Sequence, residues 1–424
     1  MLKTLSIEVL QHHLTTAMLD SRNNKLDKAQ ARNGAKPLFL SSKLLNPEKP
    51  MDRANSTFPT GPDLNTSSQR CSVIPNDTDA EIIIKIFSLS VILFLSTFGN
   101  ILVIGVVHKN KSMRQKSINL YIVNLATSDL LLALVFIPGT ICELLNGQGT
   151  WLITGFVGEA TCRLVYFIQD VSIAVSVQSL VVIAFDRFCA VVYPLRITTT
   201  SSTIRLIVIP MTWLVACAIH ASYFFTYRLQ WNPQDNTTMC RHIWSTDKEE
   251  HDDIMLKHYL AMFCLFFAIP VLLLVILYSL IFAKLRLRSH KMSLRTSGTT
   301  GRRREQEWNV LKMAFAIVLA FFMCYGPLNV VVFFIIFKWG TIGDACNIKT
   351  ILFITMFLFL FNTALNPFIY FIFSENFRLG FVRMFVRTSK HGSEKCFLKS
   401  IKKIRTTDYE SGHRTVFNVI DTAV

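Results

Sequence analysis

Charged residues are scarce in this chain of 424 residues. Only 17% are Asp, Glu, Lys or Arg, whereas soluble domains contain about a quarter. Glycine is sparse as well: its 17 copies are far below the roughly one residue in three of a collagen repeat. Hydrophobic residues instead make up 51% of the chain, Phe alone occurs 34 times, and mean hydropathy is +0.39. This composition excludes a disordered chain and a coiled coil and predicts a membrane protein.

Acidic residues are fewer than basic ones, which leaves a net charge of +16. The Lys and Arg residues lie mainly in short segments between apolar runs and in the C-terminal tail, as orientation in a bilayer requires. We therefore expect no nucleic-acid partner. Ten cysteines in a chain of this length do not make a small disulfide scaffold, so the depth of each cysteine in the membrane decides its role.

Seven apolar runs are long enough to cross a bilayer, which takes roughly 20 helical residues. None alternates as a barrel strand would. The sequence therefore predicts an all-α membrane protein, a seven-transmembrane helix bundle. The predicted spans are residues 82–107, 118–144, 161–191, 205–225, 257–284, 310–337 and 350–373.

Basic residues near the span ends predict the orientation. The first connection holds Lys109, Lys111, Arg114 and Lys116, whereas residues 143–159 contain no Lys or Arg. The N-terminus is therefore expected outside and the C-terminus in the cytoplasm of a plasma-membrane protein. All four glycosylation sequons fall on the outer side by this rule: they begin at Asn55, Asn65, Asn76 and Asn236.

These predictions divide the chain into a glycosylated outer tail (1–80), the helix bundle (81–373), a short membrane-surface helix (374–388) and a cytoplasmic tail (389–424). Residues 1–50 fit an outer tail poorly, because they hold eight Lys and Arg against four Asp and Glu, no sequon and no signal-peptide apolar stretch. Two alternatives stay open for them: part of the mature tail, or a dispensable extension.

Polar side chains inside the spans indicate function, because they are costly in hydrocarbon. They are Asn100, Asp129, Ser176, Asn362 and Asn366. One interpretation is a hydrogen-bonded seam between helices. The other is a hydrated cluster around Na⁺, since carboxylate, hydroxyl and amide oxygens suit a hard cation.

The third span ends in Asp186-Arg187-Phe188, and Cys162 stands 25 residues before Arg187, or about 37 Å along a helix. Cys162 is therefore outside, where a bond to Cys240 would tie the second outer loop to the helix. Cys71 and Cys346 can pair likewise.

Prolines interrupt the sixth and seventh spans, at Pro327 and Pro367, and a helical proline offers a hinge. Glu307 lies about 30 Å inward of Pro327, near the height of Arg187. Either the two charges pair and separate on activation, or each is solvated alone.

After the seventh span, Phe377, Phe381 and Phe385 share one helical face, with arginines off it. This pattern predicts a short amphipathic helix on the inner leaflet. Cys396 downstream is a candidate for palmitoylation.

Taken together, residues 81–388 resemble a class A (rhodopsin-like) G protein-coupled receptor. The shared marks are Gly99-Asn100, Leu125-Ala126, Asp129, Cys162, Asp186-Arg187-Phe188, Trp213, Pro270, Tyr278, Cys324 to Pro327, and Asn366-Pro367 with Tyr370. By this resemblance Arg187, Tyr278 and Tyr370 rearrange to open an inner cavity for a G protein, and Asp129, Ser176, Asn362 and Asn366 surround Na⁺. The resemblance also implies arrestin and receptor kinases as partners.

Two positions depart from the family pattern. Phe188 replaces the usual Tyr, a mild change, and Tyr325 replaces the usual Trp of the sixth span. Tyr is smaller than Trp, so a switch carried by that ring is in doubt and basal activity is expected to differ.

The ligand class is narrowed by exclusion. The seventh span has no Lys for retinal, and the Asp of amine receptors is replaced by Gln169, followed by Asp170. A Gln at this position of the third span resembles the pattern of peptide receptors of the neuropeptide Y, neuropeptide FF and orexin kind. The expected ligand-binding residues are Gln169, Asp170, Tyr325, Asn329 and Met356.

The second outer loop is expected to form an acidic mouth, through Asp235, Asp247, Glu249, Glu250, Asp252 and Asp253. Such a mouth favours a short cationic peptide, and we expect one that contains Arg and is C-terminally amidated. The plain alternative is an ordinary solvated loop face. A ligand-independent receptor and a channel or transporter are the other classes considered; nothing in the chain indicates an enzyme or a required cofactor.

Overall fold

The structure, a computed structural model, describes residues 77–147, 149–193, 202–233, 236–292, 298–342 and 348–386. Several predicted sites lie outside the described residues: Asn55, Asn65, Cys71, Asn76, Asp235, Cys346 and Cys396. The side chain of Glu307 also lies outside the described part, although its backbone is helical.

Seven long helices dominate the described chain, and each is long and apolar enough to cross a membrane. This confirms the predicted seven-helix membrane protein. The first four are α1 (Asp79–Lys109), α2 (Ser117–Asn146), α3 (Gly155–Val192) and α4 (Ser202–His220). The next is α5, made of Lys248–Phe263, one π-helical turn at Cys264–Ala268, and Ile269–Met292. The last two are α6 (Gly298–Ile342) and α7 (Ile348–Phe373).

The helices extend beyond the apolar runs that predicted them, most clearly in α5, which begins at Lys248 rather than at residue 257. Asp247 caps this helix by accepting the Glu250 amide at 3.0 Å, and Glu249 and Glu250 lie in its first turn, where the helix dipole favours acids. The acidic residues predicted to lie in a loop after Asp247 therefore lie on a helix. Hydropathy marks the membrane-crossing part of a helix and not its end.

The fourth candidate span, Leu206–Thr226, agrees with the predicted run over 205–225, although a turn at residues 221–222 interrupts the helix within it. The helix α4 ends at His220, and a separate helical turn follows at Tyr223–Thr226. The chain then forms an antiparallel hairpin, β1 (Tyr227–Asn232) and β2 (Thr237–His242), that the sequence analysis did not predict. Leu229 pairs with Cys240 in its register.

The main core cluster takes most of its buried residues from α2 and α6, and α1, α3, α5 and α7 add smaller numbers. Large apolar side chains of α1, α4 and α5 point away from it, and Phe94, Leu214 and Leu272 are each at least 60% exposed. In a soluble protein such faces would be unstable, whereas lipid covers them in a bilayer. Prolines lie inside five of the long helices: Pro138, Pro210, Pro270, Pro327 and Pro367.

The predicted amphipathic helix is present as α8 (Glu375–Val386). The ring of Phe377 is buried and stacks on Tyr370 at 5.5 Å, and Phe381 meets Phe371 edge-on at the same distance of 5.5 Å. Arg378 is exposed, and its guanidinium donates to the Phe371 and Ile372 carbonyls at 3.2 and 2.6 Å. This satisfies carbonyl groups at the end of α7 and fixes the turn into α8.

Candidate ligand cavity and polar core

A cavity of about 60 Å³ lies among α3, α4, α5 and α6. Three of the five predicted ligand-binding residues line it: Asp170, Tyr325 and Asn329. Gln169 is buried beside the cavity and donates to the Asp170 carboxylate at 3.4 Å. Met356 packs against the hydrophobic core from α7 and is not among the lining residues.

Most of the cavity wall is aromatic, and the sequence analysis missed this wall. Four of the rings come from α5: Tyr259, Phe263, Phe266 and Phe267. Phe266 and Phe267 stand side by side in the π-helical turn, which changes the angular spacing of side chains and lets both rings reach the cavity. The hydroxyl of Tyr259 donates to the Asn329 carbonyl at 3.4 Å and so links α5 to α6.

Asp170 is the carboxylate of the cavity wall, and it is held from the side of α4. The Tyr223 hydroxyl donates to its Oδ2 at 2.6 Å, and the ring of Tyr223 meets His220 edge-on at 5.3 Å. His220 also lines the cavity. The sequence analysis predicted neither Tyr223 nor His220 at this site. An ionisable histidine within a membrane span could have indicated it.

Tyr325 also lines the cavity, at the position where the family pattern has Trp. Its ring stacks on Phe321 at 4.2 Å and packs on Phe359 at 4.7 Å, so it is almost fully buried between α6 and α7. One backbone contact reinforces this region, because the Asn329 side chain donates to the Tyr325 carbonyl at 2.9 Å.

A polar core surrounds Asp129 in the middle of the bundle. Asn366 of α7 donates to its Oδ2 at 2.7 Å, and Ser176 of α3 donates to its Oδ1 at 3.2 Å. Ser128 adds a hydroxyl contact to Ser176 at 2.9 Å. Three helices therefore meet at one buried carboxylate, and three of the four residues predicted around Na⁺ are in direct contact.

The donor set of this core fits a small hard cation. The side-chain oxygens of Asn362 and Asn366 are buried and have no hydrogen-bond partner within the described residues. They stand one helical turn apart on α7, so both lie on the face that carries the contact to Asp129. Carboxylate, hydroxyl and amide oxygens are the ligands that such cations take.

Two further asparagines tie the helices together. Asn124 accepts the Trp213 indole N–H at 2.8 Å and donates to Ser179 at 2.9 Å, which joins α2, α4 and α3. Asn100 donates to the Thr363 carbonyl at 3.0 Å, which joins α1 to α7. These contacts explain Asn100 and Trp213 as packing residues of the bundle.

At one end of the bundle, which we call the Arg187 end, the three residues expected to rearrange have no hydrogen bond to another helix among the described residues. Arg187 pairs with its chain neighbour Asp186. The hydroxyls of Tyr278 and Tyr370 are buried, and within the described residues they have no hydrogen-bond partner. The ring of Phe188 meets Tyr193 edge-on at 6.1 Å. The predicted pair of Arg187 with Glu307 stays a prediction.

The opposite end, which we call the hairpin end, is cross-linked. The predicted disulfide between Cys162 and Cys240 is confirmed, with Cα atoms 5.7 Å apart. Glu159 of α3 accepts the Leu229 amide at 3.1 Å and the Arg163 guanidinium at 2.6 Å. Arg163 in turn donates to the Tyr227 carbonyl at 3.2 Å.

Asn236 is the one predicted glycosylation residue that the structure describes. It lies between the two strands, is exposed, and adopts φ 54°, in the left-handed region that Asn tolerates better than most residues. An exposed turn is accessible to a glycosylation enzyme, and glycosylation itself stays a prediction.

Residues 99–370, more than half of the chain, match the sequence profile described as "7 transmembrane receptor (rhodopsin family)". The matched stretch runs from Gly99 in α1 to Tyr370 in α7, and it includes the cavity, the polar core and the Arg187 end.

Curated relatives cover similar stretches. Galanin receptor 2a of Danio rerio is 27% identical over 320 residues, which is 75% of this chain and 82% of the relative. Neuropeptide FF receptor 2 of Rattus norvegicus is 29% identical over 316 residues, 70% of this chain and 71% of the relative. Histamine H2 receptor of Homo sapiens is 26% identical over 315 residues, 74% and 82% respectively.

Proposed function

The chain belongs to the rhodopsin family of seven-transmembrane receptors, and on that premise we propose that it is a G protein-coupled receptor for a short cationic peptide. It is a signalling receptor and not an enzyme. The observation that carries the proposal is the cavity, whose wall holds the carboxylate of Asp170 and the ring of Tyr325, which also packs on Phe359 of α7.

Charge at the hairpin end supports a cationic ligand. Five exposed acidic residues stand at the start of α5: Asp247, Glu249, Glu250, Asp252 and Asp253. Acidic groups around the entrance to a cavity raise the local concentration of a cation and speed its association. Asp170 gives such a ligand one buried anionic contact at the end of its path.

A peptide is favoured over an amine by what surrounds Asp170. Gln169 occupies the place that amine receptors give to Asp, and Oδ2 of Asp170 already accepts the Tyr223 hydroxyl. A small amine would have to compete with that bond, whereas a peptide gains further contacts at the hairpin. The relatives named for galanin and neuropeptide FF agree with this choice, and the one named for histamine defines the alternative.

We place the hairpin end outside the cell and the Arg187 end in the cytoplasm of a plasma-membrane protein. The basic connection after α1 supports this orientation, as does the sequon at Asn236 between the strands. The cytoplasmic partners are then a heterotrimeric G protein, arrestin and receptor kinases. The helix α8 would lie along the inner leaflet, with its phenylalanine face toward the bundle and lipid.

We further propose an allosteric Na⁺ in the polar core, held by Asp129, Ser176, Asn362 and Asn366. The unpartnered amide oxygens of Asn362 and Asn366 support it. When bound, the ion would supply positive charge to the buried carboxylate of Asp129 and hold α2, α3 and α7 in one arrangement.

Signalling follows as a shift in population between two states. A ligand that contacts Asp170, Tyr325 and Asn329 acts only if it binds one state of the bundle more tightly than the other. The responding state is one in which Arg187 leaves Asp186 and gains a partner elsewhere. Gln169 and Arg187 are about 27 Å apart along α3, so a coupling of roughly 1–3 kcal/mol through packed helices is sufficient.

The experiment is G protein activation in cells that express the full chain, against a library of Arg-containing, amidated peptides. We expect a saturable response whose potency falls roughly 10- to 100-fold in Asp170→Asn, because an ionic hydrogen bond is lost. Lys257→Gln is the matched control, since its pair with Asp253 is exposed. Activation by small amines and by no peptide would contradict the proposal.

Two other outcomes would identify different functions. High basal signalling that Arg187→Ala abolishes, without any peptide response, would identify a ligand-independent receptor. Ion flux without any G protein response would identify a channel or transporter. In each case surface expression of the variant is measured alongside, so that a silent receptor is distinguished from an absent one.

A further inference from the structure

His242, the last residue of β2, is enclosed by aromatic rings beneath the hairpin. Its side chain is only 1% exposed. The imidazole stacks on Tyr227 at 4.4 Å between ring centroids and contacts Trp244 at 5.1 Å. Tyr223 and His258 complete the enclosure at 5.3 and 5.8 Å. A titratable group is therefore held where water has almost no access.

This ring joins the hairpin to the helix bundle. Nε2 of His242 lies 2.9 Å from the Thr226 hydroxyl in the helical turn, and the next residue, Ile243, donates its amide to the Thr226 carbonyl at 2.7 Å. His258 brings α5 to the other side of the ring. Removing His242 from its enclosure would therefore release β2 from both the turn and α5.

The titratable and charged neighbours of the ring come from five elements. Tyr223 belongs to the helical turn and Tyr227 to β1. The helix α5 contributes His258, together with His251, whose Nδ1 accepts the Trp244 amide at 3.2 Å. On its own strand His242 follows Arg241, and from α3 the Asp170 carboxylate reaches this group through the Tyr223 hydroxyl.

We propose that His242 is a proton-binding site, through which acid on the hairpin side releases the end of β2 from the helical turn and α5, while the disulfide keeps the hairpin attached to α3, and so loosens the end of the receptor where ligand enters. The proposal stands on the enclosure and on the contacts that the ring makes to Thr226 and α5. It does not depend on the identity of the ligand.

The direction of the pH effect follows from the burial of the ring. Burial, with a smaller contribution from the positive charge that His258 carries when protonated, holds the pKa of His242 well below its usual 6.5. The closed hairpin thus keeps the ring neutral, whereas a released ring has an ordinary pKa. The free-energy preference for the closed form is complete above about pH 6.5 and decreases as pH falls below that value. Between pH 7.5 and 5.5 one such proton shifts the released-to-closed ratio about 10-fold.

Hydrogen–deuterium exchange of the purified full chain in detergent tests this, with residues 227–242 as the reporter. After correction for the intrinsic effect of pH on exchange, we expect hairpin protection to fall about 10-fold from pH 7.5 to 5.5 in the unmodified protein. In His242→Phe, which keeps a flat ring and cannot be protonated, we expect less than about a 2-fold fall. His108→Gln, at the exposed end of α1, is the matched control and should behave as the unmodified protein.

Unchanged protection in the unmodified protein, or an equal fall in His242→Phe, would overturn the proposal. If His242→Phe does not fold, His258→Phe provides the second measurement. It keeps His242, so the fall should persist, and its onset should stay near the ordinary pKa of the released ring. A fall that disappears in His258→Phe would assign the proton to His258 and contradict the role of His242.

Discussion

The two ends of the helix bundle are held together in different ways. At the hairpin end the contacts join different elements: Cys162 of α3 is bonded to Cys240 of β2, and Glu159 and Arg163 of α3 bind the backbone of β1. At the Arg187 end the guanidinium pairs with its own chain neighbour. The Tyr278 and Tyr370 hydroxyls there have no partner among the residues that the structure describes.

This difference shows where the molecule can change. Contacts between elements fix the shape of the hairpin end, and a fixed shape keeps the cavity ready for a ligand. At the Arg187 end a rearrangement can give the buried hydroxyls of Tyr278 and Tyr370 and the half-buried Arg187 new partners. The polar core around Asp129 lies between the two ends and joins α2, α3 and α7.

Removal of the disulfide should reduce the difference between the two ends more than any other single change. Cys240→Ser releases a closure that spans 78 residues, and we expect a loss of roughly 4 kcal/mol in the free energy of unfolding. Thermal unfolding in detergent measures it, and Cys142→Ser, which replaces an exposed free cysteine, is the control. A loss equal to that of the control would mean that the hairpin end is stable without its cross-link.

A close approach of α1 to α7 gives the second prediction. A Cβ at Gly99 would lie 2.8 Å from the Pro367 side chain, next to the proline interruption of α7. We expect Gly99→Ala to cost about 1–3 kcal/mol through overpacking. Gly139→Ala, whose Cβ would meet nothing within 4 Å, should be neutral or stabilising. Equal unfolding temperatures for the two variants would show that α1 and α7 separate easily at this point.

The proposed Na⁺ gives the third prediction, at the junction between the two ends. Replacing KCl by NaCl should stabilise the purified receptor by about 1.4 kcal/mol when Na⁺ is present at ten times its dissociation constant. Asp129→Asn should abolish the difference, and Asp170→Asn, which changes another buried carboxylate, should preserve it. A sodium effect of equal size in both variants would place the ion elsewhere or make the effect nonspecific.

The smallest expected effect concerns the ion pair that attaches the hairpin. Arg163→Gln should cost no more than about 1 kcal/mol, because the pair with Glu159 is partly exposed. Hydrogen exchange of the Leu229 amide, which Glu159 accepts, should rise by a few-fold. Lys257→Gln removes a more exposed pair and serves as the control. No change in exchange would mean that the disulfide alone holds β1 in place.

Much of this architecture was predictable from the sequence, because the bilayer imposes it locally. Seven apolar runs form seven helices, because a membrane-spanning segment must satisfy its own backbone hydrogen bonds. Polar residues within these helices, such as Asp129, Ser176 and Asn366, contact one another because they are costly to expose to lipid. The disulfide was predictable since both cysteines were assigned to one side of the membrane. In these cases a local rule decides the outcome.

The rest depends on contacts that no local pattern records. The hairpin forms because β1 pairs with β2 across a turn. Strand pairing depends on the packing context, and the hydropathy pattern that identifies membrane helices does not predict it. The π-helical turn of α5 and the bond from Tyr223 to Asp170 arise from packing between helices. The start of α5 was misjudged because acidic residues end an apolar run but favour the first turn of a helix.

The central claim is that the hairpin end stays fixed while the Arg187 end opens. Distances between pairs of spin labels, attached through an unnatural amino acid, test it with and without a G protein. One pair joins Lys116 to Trp308 at the Arg187 end, and the other joins Trp231 to Val330 at the hairpin end, all at exposed positions. We predict that the first distance increases by several ångströms and the second stays unchanged. Equal changes at both ends, or a change at the hairpin end alone, would contradict the account.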